Sequence, residues 1–174
     1  MTFCQDTLKV KEFPAYRLYP IGNKHRKLNS KIILSANAEF SEIEKEISDV
    51  VDNPTRTLTA SNINKFIGEV IETKLPGVIL FHNQDEINLS FRVLAQLKRY
   101  NSHIIFGNFK NPSEDLMKLY NIKKLPLLVS VFYKDPDNDR LLTEENLQIG
   151  AHQGSLTYNE IRHFLETVRI ILYL

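Results

Sequence analysis

The chain has 174 residues, of which 43% are hydrophobic and 25% charged. These values sit near the globular average and exclude disorder as its main state. Lys and Arg number 22 against 21 Asp and Glu, a net charge of +1. That balance excludes a dedicated nucleic-acid binder, whose affinity rests on neutralising phosphates. The single cysteine, Cys4, excludes an internal disulfide, a CxxC redox pair and a cysteine-based structural zinc site.

No basic stretch followed by an apolar run opens the chain after Met1, so no signal peptide is read. No run reaches the ~18 apolar residues that would give a membrane span within the chain. Ile170–Leu174 is apolar and reads as the end of an amphipathic core helix. The alternative reading is the start of a span.

Taken in order, Phe13-Pro-Ala-Tyr-Arg-Leu-Tyr19 reads as a strand and Ile21-Gly-Asn-Lys24 as a turn. Lys31-Ile-Ile-Leu34 is a second strand. Phe40, Ile43, Ile47, Val50 and Val51 mark one face of a helix that ends before Asn53-Pro54. Arg56-Thr-Leu-Thr59 is a short strand. Thr59 or Ser61 is the expected cap of a helix carrying Ile63, Phe66, Ile67, Val70 and Ile71 on one face. Val78-Ile-Leu-Phe81 is a continuous apolar run, as a central strand buried on both faces requires.

Asp85 or Asn83 is the expected cap of the next helix, with Phe91, Leu94, Ala95 and Leu97 inward. His103-Ile-Ile-Phe106 is another buried strand. Pro112-Ser-Glu-Asp115 opens a helix, with proline and acids in the first turn. Leu127–Tyr133 is a strand, Asp135-Pro-Asp-Asn-Asp139 a turn, and Leu147–Ile149 a returning strand. Thr157-x-x-Glu160 is a capping-box pattern before a helix with Ile161, Phe164, Leu165 and Val168 inward.

The order over residues 56–174 is β-α-β-α-β-α-β-β-α. It implies an α/β fold with a mixed sheet between helices. Residues 1–54 give only β-β-α, the same order as the tail of the longer segment. The two tails also share a motif: Val10-Lys-Glu-Phe-Pro14 and Ile122-Lys-Lys-Leu-Pro126 each precede a strand.

At these residues the chain resembles the thioredoxin-like domains of the protein disulfide isomerase family. Tyr120-Asn-Ile-Lys-Lys-Leu-Pro126, running on to Phe132, is similar to the family pattern Y-x-V/I-x-x-x-P-T-x-x-x-F. The stretch from Cys4 to Pro20 matches that pattern more closely still. The resemblance implies a complete domain over 56–174 and the second half of an earlier one over 1–54. It thereby implies a piece of a longer tandem-domain protein. It also implies cis-prolines at Pro126 and Pro14, each opening a strand, and a helix carrying Cys4 as a small buried residue.

Catalytic relatives carry a CxxC where the second strand meets its helix. The matching stretch here, Phe81-His-Asn-Gln-Asp-Glu-Ile-Asn-Leu-Ser90, holds no cysteine. Exchange needs a thiolate nucleophile, so this chain reads as not an enzyme. The buried carboxylate and lysine of catalytic relatives align at about Leu80 and Gly107. Neither of those residues can relay a proton.

His25, His82, His103, His152 and His163 show no metal-ligand spacing, so neither a metal nor any other cofactor is expected. His82 stands out because it follows the buried strand at the former active-site loop. Asn88-Leu-Ser90 is the one sequon not blocked by proline. It falls in the first turns of a predicted helix, and its use is not expected. Lys24-His-Arg-Lys27 reads as a solvated turn.

The leading expectation is a redox-inactive module that binds unfolded or partner polypeptides, or spaces catalytic domains. Its binding surface would comprise Phe81, His82, Asn83, Leu125, Pro126 and Leu127. Two alternatives stand beside it. One is the inert portion of a catalytic oxidoreductase whose CxxC lies upstream; the other is a scaffold module of a J-domain co-chaperone. The resemblance implies the endoplasmic reticulum lumen. Neither nucleic acid nor membrane is expected as a partner, and the sequence sets no oligomeric state.

Overall fold

The computed structural model describes residues 16–17, 32–34, 38–133, 147–152 and 154–171. Cys4, Pro14, the basic turn at 24–27 and the acidic turn at 135–139 lie outside the described residues. The chain divides into two units, Met1–Asp52 and Asn53–Leu174.

In the first unit, β1 (Tyr16–Arg17) pairs antiparallel with β2 (Ile32–Leu34). Helix α1 (Phe40–Val50) follows. Glu42 reaches back to the Glu39 backbone N–H at 3.3 Å, satisfying a donor that the helix start leaves free. Phe40, expected on the inward face, is instead 78% exposed at the first position of the helix.

The second unit holds a five-stranded mixed sheet in the order β3-β5-β4-β6-β7. Its strands are β3 (Arg56–Leu58), β4 (Gly77–His82), β5 (Ile105–Lys110), β6 (Leu127–Tyr133) and β7 (Leu147–His152). β3 and β4 both run parallel to β5, whereas β6 is antiparallel to β4 and β7 antiparallel to β6. Helices α2 (Ile63–Thr73), α3 (Leu89–Gln96), α4 (Lys98–Asn101), α5 (Glu114–Leu119) and α6 (Tyr158–Ile171) complete it.

All residues of β4 are buried, as its unbroken apolar run requires. Alternation along the strands then sorts two cores. Ile79, Phe81, Phe109 and Val129 face α2, where Ile63, Phe66, Ile67 and Val70 form one helical stripe. Val78, Leu80, Phe106 and Leu128 face α3 and α6, meeting Phe91, Leu94, Ile161 and Leu165. Each such side chain contributes roughly 1.5–3 kcal/mol on burial, so β4 anchors both layers.

Several boundaries differ from the sequence expectation. Asn62, not Thr59 or Ser61, precedes α2, and its amide ties the turn by accepting from Thr59 N at 2.7 Å and donating to Thr57 O at 3.1 Å. Asn88, not Asp85 or Asn83, caps α3, accepting from Phe91 N at 3.0 Å. Leu97 takes an extended conformation and separates α3 from α4, which lets Tyr100 turn fully into the core. β5 begins at Ile105 and continues to Lys110, past the apolar run. Ser113 rather than Pro112 sets the start of α5, accepting from Leu116 N at 3.3 Å.

Candidate functional site

The carboxyl end of β4 and the start of β6 lie together, because Phe81 pairs with Leu127 in the antiparallel register. The peptide bond before β6, Leu125–Pro126, is cis. Beside it opens a groove of about 800 Å³. Leu125, Pro126 and Leu127 line it from one strand start, Leu119 from α5 and Ile149 from β7. Leu119 is 71% exposed and Ile149 50%. Large apolar side chains this open to solvent, gathered in one concave place, make this groove the candidate site. Periodicity places Leu119 on the apolar face of its helix with Leu116 and Tyr120, but the structure leaves it open to solvent at the groove, and for Ile149 the exposure is set by tertiary placement.

Phe81 and His82 do not line the groove. Phe81 is fully buried, with ring centroids 5.7 Å from Phe109 and 5.5 Å from Tyr120. It supports the floor beneath the site and offers no surface to a partner. His82 is also interior. Asn83 is exposed but stands outside the groove, whereas its neighbours Gln84 and Asn88 line it.

The surroundings of His82 are polar and ordered. Its Nδ1 donates to the Gln84 carbonyl at 3.0 Å, which leaves the lone pair on Nε2. That Nε2 is buried and, among the described residues, has no partner at hydrogen-bonding geometry. Burial is the main cause that holds the ring's pKa below its ordinary value. Lys110 repels the charged form as well, and the Gln84 carbonyl and Asn108 side chain oppose the shift without overcoming it. Lys110 in turn pairs with Asp85 at 2.9 Å, and this hydrogen bond and charge hold the Asp85 carboxyl below its ordinary range.

Asn108 is the buried polar residue that the sequence reading missed. It is the register partner of Leu80, on the same sheet face, whereas Gly107 pairs with Ile79. A Cβ on Gly107 would point at Leu58 and Phe66 in the opposite layer. Asn108 donates to Thr55 Oγ1 at 2.8 Å and to Arg56 O at 3.1 Å. Thr55 Oγ1 donates onward to Asn53 Oδ1 at 2.7 Å. This short chain ties β5 to the start of the domain with neutral groups and no carboxylate.

Among the described residues, no cluster of His, Cys, Asp and Glu could hold a metal ion. Among the same residues, no helix is long and apolar enough to cross a membrane.

The strand order, the mixed directions and the flanking helices define a thioredoxin-like domain over Asn53–Leu174. No family model matches the sequence, and no curated protein does. Solved structures do. The crystal structure of full-length ERdj5 is similar, with a TM-score of 0.61 and 16% identity over 95% of this chain and 23% of that one. ERdj5 form I gives 0.59 at 16% identity, over 95% of this chain and 22% of that one. At such identity the likeness is one of fold. The chain thus matches less than a quarter of the length of ERdj5.

Proposed function

We propose that this chain is a non-catalytic thioredoxin-like module of a larger, disulfide-isomerase-like protein. It holds unfolded or partner polypeptide in the groove beside Pro126. The observation that carries this reading is the exposure of Leu119 and Ile149 across a groove whose wall is Leu125, Pro126 and Leu127. An extended segment can lay alternate side chains into such a groove while its backbone pairs with nearby polar groups. The loop after β4, residues 83–88, carries no thiol for exchange chemistry. Non-covalent contact is the chemistry left to it. The resemblance to disulfide-isomerase-family domains supports the endoplasmic reticulum lumen as the module's working compartment.

The test is an NMR titration of the chain with a permanently reduced, alkylated model protein. Expected are shifts of the Leu119, Leu125, Leu127 and Ile149 methyl signals, and their loss in Leu119→Asp/Ile149→Asp. Methyl shifts confined to other faces of the domain, or none anywhere, would sink the reading.

A further inference from the structure

The groove carries an exposed pair of positive charges beside its apolar wall. Its lining includes Lys123 and Lys124 and, among the described residues, no Asp or Glu, while Glu160 accepts from the hydroxyls of the lining Ser155 and Thr157. The chain as a whole is nearly neutral, 22 basic residues against 21 acidic, so composition alone does not produce this. Some basic side chains elsewhere in the domain have acidic partners: Arg56 with Glu69, Arg99 with Glu166, Lys110 with Asp85. Lys123 and Lys124 are exposed and make no ion pair among the described residues. They adjoin Leu125 in sequence, and so stand next to the apolar wall.

Resting on the reading of this groove as a polypeptide site, we infer that it selects segments in which apolar side chains stand beside Asp or Glu. An extended chain repeats its facing side chains at roughly 6.8 Å. It can therefore seat apolar groups against Leu119, Leu127 and Ile149 and bring acids to the lysine pair. A basic segment would set like charges together, which disfavours the complex. A bare polyanion lacks the apolar groups that the wall receives. Two lysines are also few for phosphate-driven binding, which draws on many contacts. Because the lysines are exposed, the selection is electrostatic and screened, with a Debye length of about 8 Å at physiological salt.

Fluorescence anisotropy with the 174-residue chain tests this, using three labelled peptides of equal length. One carries acids two residues from apolar residues, so that both kinds share one face of the extended chain, one has Lys for every acid, and one keeps the acids with Ser for every apolar residue. The first should bind about fivefold tighter than the second at low salt, and less than about twofold tighter near 0.5 M. Lys123→Glu/Lys124→Glu should reverse that order. Equal affinity for the first two peptides, or no reversal, overturns the charge selection and leaves the groove reading standing. Tight binding of the serine peptide overturns the apolar requirement. Failure of all three peptides to bind overturns both readings.

Discussion

His82 Nδ1 lies 3.0 Å from the carbonyl oxygen of Gln84, so the last residue of β4 holds the first turn of the loop that follows it. This bond ties the loop's conformation to the protonation state of a buried ring. Burial depresses the folded pKa below the ordinary value of 6.5. Below about pH 6.5 the unfolded chain therefore takes up a proton that the folded chain refuses, and stability falls. The contribution is fully present above that pH and is lost as pH drops through the folded value. Urea midpoints measured from about pH 8 down to about pH 5 should decline. In His82→Gln, which cannot titrate, the decline should be smaller. The Asp85–Lys110 pair acts in a more acid window, below the ordinary aspartate value of 3.8, and does not mask it. Identical pH profiles for the two proteins would refute the assignment to His82.

Asn88 serves two elements with one amide. Its Oδ1 caps α3 through Phe91 N, and its Nδ2 donates to Leu156 O at 3.3 Å, across to the segment before α6. Asn88→Ala should destabilise the protein by about 1 kcal/mol through the lost cap. Asn88→Asp keeps the acceptor and should cost less. Chemical denaturation of both variants gives the comparison. If the alanine and aspartate variants lose equal stability, the link to Leu156 rather than the cap is the important bond.

Two glycines give opposite expectations for one substitution. A Cβ on Gly107 would come within 2.6 Å of Leu58 Cδ1 and 3.2 Å of Phe66, both core residues. Gly107→Ala should cost about 1–3 kcal/mol by overpacking. A Cβ on Gly68, inside α2, meets nothing within 4 Å. Gly68→Ala should gain roughly 0.5–1 kcal/mol from helix propensity. Thermal melts of the pair would contradict the packing account if both moved in the same direction.

How far the sequence spoke depended on whether a residue's surroundings are local. The Val78–Phe81 run and the stripe at Ile63, Phe66, Ile67 and Val70 carry their burial in their own spacing, and the structure buries all of them. Caps were read to within a turn, but the choice among Asn83, Asp85 and Asn88 depends on where the loop packs. Asn88 wins with a partner at Leu156, far along the chain. Strand register decides which of Gly107 and Asn108 stands beside Leu80, and no local pattern states it. At the groove, Pro126 was legible from its motif. Phe81, read both as part of a buried strand and as a binding residue, is only the former, because Tyr120 and Phe109 pack against it. The apolar pair Leu119 and Ile149, from elements distant in sequence, could be recognised only once folded.

The strand order carries a consequence for biosynthesis. β4 pairs with β5 and β6, both of which follow it in the chain, and among the described strands β3 pairs only with β5. While the polypeptide is still emerging from the ribosome, no two strands of this sheet can meet until Lys110 has appeared. Through that interval Gly77–His82, the most buried strand of the finished domain, stays without a hydrogen-bonding neighbour. Its short, uncharged, β-favouring sequence is then a seed for association between nascent chains. The strand that anchors the mature fold is the one that synthesis leaves exposed.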